Sequence, residues 1–198
     1  MRHLLIASLS ALALVQAGCD RRQEETAQSS AEQPPAAPGG PAPQAAAPAP
    51  VAAILAPEGQ FEAVTNTAMS VTGDLTAAAG ALSFAQGQSY GLSGVAVAKG
   101  ADPYASTKAS FASLINVPDA AELRVFKVSR EEKGQARNGG LCGADAATYV
   151  VTHQGVDGGA SPALFVVAFK GAAAPSASTP EADLCGTYMY APKGAAQG

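Results

Sequence analysis

The most chemically pointed pattern in this 198-residue chain is Gly87-Gln88-Ser89-Tyr90-Gly91. It matches G-x-S-x-G, in which a serine nucleophile sits on a sharp strand-to-helix turn. Asp102, Asp119 or Asp145 followed by His153 would complete the order Ser, Asp, His. The imidazole would then act as base and a carboxylate would orient it, giving acyl transfer through Ser89. The sequel argues otherwise. Leu92-Ser93-Gly94-Val95-Ala96-Val97 reads as a strand, not as the helix the motif needs. A serine hydrolase using Ser89 and His153 is the lesser reading, and a β-turn of small residues is the plainer one.

The cysteines are Cys19, Cys142 and Cys185. A catalytic dithiol usually shows C-x-x-C, which is absent. The histidines are His3 and His153. If the segment after Cys142 is an extended strand, His153 lies roughly 35 Å from it. That is too far to share a tetrahedral zinc. No metal or cofactor is expected, and His153 reads as an idle histidine near a strand end. Net charge is −4, without a basic cluster, so nucleic acid is not an expected partner. There is no Trp and only 6% aromatic residue, which leaves few platforms for stacking bases.

The N-terminus carries the clearest signal. Arg2 and His3 precede an apolar run, Leu4 to Val15, and Ala17-Gly18-Cys19 closes it. The run has the length of an export signal and falls short of the roughly 20 residues that span a bilayer. Val15-Gln16-Ala17 also reads as a secretory cleavage site. Ala17-Gly18-Cys19 resembles the end of a bacterial lipobox, with Gln16 where that family usually has Leu. The resemblance implies a signal peptide over 1–18, lipidation (palmitate) of Cys19, and a mature protein held in a bacterial membrane and facing the periplasm. The choice between inner and outer membrane stays open. Acyl chains contribute about 0.8 kcal/mol per buried CH₂, so two or more make a stable anchor. If Cys19 carries lipid, Cys142 and Cys185 remain as an even pair in an oxidising compartment, where a disulfide is the default.

Residues 20–33 are polar, and Pro34, Pro35, Pro38, Pro41, Pro43, Pro48, Pro50 and Pro57 punctuate the next stretch. Such a segment buries no core and interrupts any helix. Residues 19–57 are read as a disordered tether, reaching about 100 Å if fully extended.

Residues 58–198 remain as one domain. Strand-like runs are Gln60–Thr65, Ala68–Thr72, Ala81–Ala85, Ser89–Ala98, Glu122–Ser129, Ala147–His153, Ala163–Phe169 and Thr187–Tyr190. Val156-Asp157-Gly158-Gly159 reads as a hairpin turn. Ala163–Phe169 is apolar on both faces, the mark of a covered strand. Ser106–Ile115 reads as the one short helix, and Thr179-Pro180-Glu181 as a helical turn. The order lacks the alternating strand–helix pattern of an α/β-hydrolase. A mainly β, small antiparallel sandwich or barrel is expected. A hairpin of 147–153 with 163–169 would return the chain to the Cys142 end, near Cys185. The bridge would close a loop of about 44 residues, worth on the order of 4 kcal/mol in the chain-entropy model.

Asn138–Gly143 and Leu184–Tyr190 resemble segments of small lipoproteins of alphaproteobacteria, a resemblance that brings no activity. Small disulfide-bearing β-barrel lipoproteins also include periplasmic inhibitors of lysozyme, a likeness of fold alone. The function expected is a membrane-anchored envelope lipoprotein, a non-enzymatic binding or structural module. Its partner would be an envelope protein or a wall component, and an enzyme inhibitor is the narrower alternative.

Overall fold

Short apolar alternations separated by Gly and Asp turns favour hairpins. The computed structural model describes residues 54–156 and 161–194, and its strands close into a barrel. In chain order the elements are β1 (Gly59–Ala63), α1 (Asn66–Val71), β2 (Leu75–Ala78), β3 (Ala81–Phe84), β4 (Ser89–Lys99), α2 (Phe111–Ile115), β5 (Glu122–Glu132), β6 (Tyr149–Val156), β7 (Pro162–Phe169) and β8 (Leu184–Pro192). Each strand pairs antiparallel with the next. Phe61 opposite Pro192, Glu62 opposite Ala191 and Ala63 opposite Tyr190 join β1 to β8 and close the ring.

The walls differ in height. β2 and β3 have four residues each, whereas β4 and β5 have eleven. The pairing of β3 with β4 stops at Gly91, so β4 and β5 rise above a low wall. β7 has a neighbour on each face. Leu164, Val166 and Ala168 point into the barrel with Phe61, Leu75, Leu82 and Tyr190. Phe165, Val167 and Phe169 point outward, beneath Tyr104, Phe111, Ile115 and Val117 of the β4–β5 connection. That outer layer explains the unbroken apolar run. Each such side chain gains about 1.5–3 kcal/mol by full burial.

The two ends are unlike. One carries the β1–β2, β3–β4, β5–β6 and β7–β8 connections, with α1, both cysteines and Ser89. The other, here the mouth, carries the β2–β3 turn, the β6–β7 turn and the segment entering β1. The signal, Cys19, the tether as far as residue 53, and Asp157-Gly158-Gly159 lie outside the described residues.

Several local expectations change. Ala68–Thr72, read as a strand, lies mostly within α1. Thr65 is its N-cap, its Oγ1 accepting from Ala68 N at 3.3 Å, and Ala68 is fully buried. Six residues are too few for periodicity to separate helix from strand, so the cap decides. The helix expected over Ser106–Ile115 begins only at Phe111, after the cap Ser110, whose Oγ accepts from Ser113 N at 3.2 Å. Lys108, at φ +62°, interrupts any earlier start. Leu75–Ala78 was not read as a strand, because three of its four residues are small and give little pattern. The end of the expected tether belongs to the domain, since Pro57 is buried.

Leu164→Ala is expected to cost about 2–5 kcal/mol in urea unfolding. Val97→Ala, half-exposed above the low wall, is expected to stay within about 0.5 kcal/mol. Equal effects at the two positions would contradict the burial of Leu164 and the exposure of Val97.

Candidate functional site

Inside the closed end, the chain is pinned by buried tyrosines. Tyr90 on β4 and Tyr188 on β8 point into the barrel and clasp one peptide. The Leu141 N–H donates to the Tyr90 hydroxyl at 2.7 Å, and the Tyr188 hydroxyl donates to the Leu141 carbonyl at 2.7 Å. The Leu141 side chain is 1% exposed and plugs the barrel. Tyr190 bonds Thr72 Oγ1 at 2.7 Å, and that hydroxyl also donates to Ala68 O, tying α1 to the interior. Gln88 Nε2 donates to Val71 O and Gly139 O, joining three of the end loops.

Local backbone geometry delivers the plug. Gly140 and Gly143 exchange backbone bonds of 2.9 Å, and Gly139 and Gly143 have φ of +73° and +63°. Glycine reaches that region without steric cost. The tight loop places Cys142 against Cys185 with Cα atoms 4.9 Å apart, and the disulfide forms as expected. The Lys170–Asp145 ion pair, at 2.7 Å, links the same two connections at the surface. A groove of about 420 Å³ lies over the disulfide, bounded by Thr67, Asn138, Lys170 and Leu184.

Ser89 stands at this closed end as the first residue of β4. It follows a hairpin turn and not a strand–helix elbow, and its Oγ donates to Glu132 at 3.2 Å. His153 is on β6 near the mouth. It stacks on Phe165, and its Nδ1 donates to the Glu122 carbonyl at 2.9 Å. Ser89 faces Glu132 and His153 meets Glu122, at opposite ends of β5. At about 3.3 Å per residue the two are roughly 30 Å apart, so no proton passes between them. Asp145 is held by Lys170, and Asp102 accepts from Lys99 N at 2.7 Å. The structure brings Cys142 and Cys185 together and keeps Ser89 apart from His153.

The mouth is a site the sequence reading missed. Residues Ile54 to Glu58 cross it as a strap before entering β1. Together with Leu92, Gly94, Arg124, Phe126 and Gln154 they bound a cavity of about 550 Å³. The Arg124 guanidinium donates to the Leu55 carbonyl at 3.1 Å. Arg124 is opposite Thr152 across β5 and β6, and opposite Val97 across β4 and β5. Its face is therefore the barrel's inner face, continued above the low wall. Gly94 leaves room for the strap: a Cβ there would lie 2.6 Å from Ile54 Cβ. A lone Arg or Gln alternating with apolar residues reads as a solvent face, so sequence offered no signal for this cluster.

Compared with known protein families, curated proteins and solved structures, the chain has no match.

Burial raises the phenol pKa of Tyr90, Tyr188 and Tyr190, that of Tyr188 to about 12 and those of Tyr90 and Tyr190 still further. A folded value above the unfolded one gives stability that is intact below pH ~10 and lost as pH rises through the folded value. Alkaline unfolding is thus expected above pH ~10, with these phenols ionising together as the barrel opens. Ultraviolet titration beside circular dichroism checks this. Smooth ionisation of all five tyrosines near pH 10 in a folded protein would contradict the burial. For the disulfide, Cys142→Ser with Cys185→Ser is expected to lower the melting temperature by on the order of 10 °C. An unchanged melt would mean that the bridge constrains little.

Proposed function

We propose that this chain is a membrane-anchored lipoprotein of the bacterial envelope, and that its barrel is a non-enzymatic binding module. The observation that carries the binding reading is the asymmetry of the barrel. One end is plugged by Leu141 and tied by a disulfide. The other holds a cavity of about 550 Å³, lined by both apolar and polar groups and within the usual volume range of ligand sites. Export and lipidation are supported by Cys19 and its setting, and by a Cys142–Cys185 pair of the kind an oxidising compartment maintains. The described chain enters the domain at Ile54, on the side of the mouth. The separation of Ser89 from His153 disfavours serine hydrolysis by that pair.

Two measurements test the reading. Cys19→Ser is expected to move the protein from the membrane to the soluble periplasmic fraction, and unchanged membrane fractionation would remove the lipid anchor. A fluorophosphonate probe is expected not to label the protein; labelling abolished by Ser89→Ala would replace the binding module with a hydrolase.

A further inference from the structure

We infer that the barrel mouth binds a monomeric single-chain amphiphile, an aliphatic chain bearing an acidic oxygen head group, and that Ile54-Leu55, ahead of the buried Pro57, is the removable occupant of that site. This rests on the reading of the barrel as a binding module and names its ligand class. The strap itself shows what the mouth accepts. It offers an aliphatic side chain, Ile54, against Gly94, and an oxygen acceptor, the Leu55 carbonyl, to Arg124. A ligand carrying both groups in one molecule would take both places. Leu92 and Phe126 continue the apolar side of the cavity, and Gln154 stands on its polar side.

Charge favours the exchange. Arg124 has no carboxylate within ion-pair distance among the described residues, and its guanidinium bonds only a neutral carbonyl. A charge-assisted bond to a carboxylate or phosphate is roughly twice as strong as a neutral one. The other charges near Arg124 are Glu58, on the strap, and Glu122, held by Lys99 at 3.0 Å. When Ile54 and Leu55 leave, Arg124 becomes a cation facing a cleft lined by Leu92 and Phe126 on one side and by Gln154 on the other. Ahead of the buried Pro57 the strap is also lightly held: Leu55 is 69% exposed, and its bond to Arg124 lies at the surface.

The test uses the full exported chain carrying Cys19→Ser, which needs no detergent. Decanoate and the neutral decanol are titrated by calorimetry. Decanoate is expected to bind more tightly than decanol. Ile54→Ser, which weakens the occupant, is expected to strengthen decanoate binding about tenfold, and Arg124→Gln to weaken decanoate relative to decanol about tenfold. Near-ultraviolet circular dichroism verifies that each variant is folded. Equal binding of decanoate and decanol with no effect of Arg124→Gln would overturn the proposal. So would failure of folded Ile54→Ser to bind decanoate. Phosphatidylglycerol vesicles distinguish the source of the head group: sedimentation with vesicles without capture of free decanoate would make the mouth a bilayer contact, against the proposal. These results are independent of membrane fractionation, so the ligand class can fail while the lipid anchor stands.

Discussion

The Leu141 peptide, clasped between two tyrosine hydroxyls inside the barrel, is the contact on which the rest depends. A closed ring of eight strands has no free edge, but its interior and its ends must still be filled. Leu141 fills the interior at one end. Its N–H and carbonyl are buried, and an unpaired buried peptide group costs on the order of 1–3 kcal/mol. Tyr90 and Tyr188 remove that cost from opposite sides of the ring, one on β4 and one on β8. The clasp therefore holds together strands far apart in the sheet order. The disulfide one residue later fastens the plug to the start of β8, and the tight Gly139–Gly143 loop aims both.

From this follows the division of the molecule into a locked end and an adaptable one. At the locked end, buried hydroxyls, Gln88, the disulfide and α1 leave little freedom. At the mouth, short β2 and β3 leave the wall low, and the strap closes the gap with one aliphatic side chain and one bond to Arg124. Binding sites are commonly placed where a rigid scaffold meets a mobile segment. The outer layer of α2 and the β4–β5 connection adds to that rigidity by covering β5, β6 and β7 from outside. The tall strands are braced on both faces, and the mouth opens beside them.

Much of this was legible residue by residue. The Ala163–Phe169 run announced a strand covered on both faces, and β7 is one. Parity and the hairpin of 147–153 with 163–169 point to a Cys142–Cys185 pairing, and the bridge forms. The G-x-S-x-G match was discounted on its strand-like sequel, and Ser89 does begin a strand. What escaped was short or low in contrast. α1 reads as a strand because six residues carry no period, and β2 gives no strand signal because Leu75-Thr76-Ala77-Ala78 has one large apolar side chain.

By itself, the sequence determined the class of the domain, the cysteine pairing and most strands. These depend on alternation, turn residues and parity, which are local or nearly so. Only the tertiary structure decided that the sheet closes as a barrel, which residues face inward, and that a mouth exists. Closure is the pairing of β1 with β8, more than a hundred residues apart in sequence, and no local pattern specifies it. Arg124, Gln154, Gly94 and Ile54 come from three strands and the incoming chain. Each is unremarkable in its own segment, and they become a site only because unequal strand heights bring them to one rim.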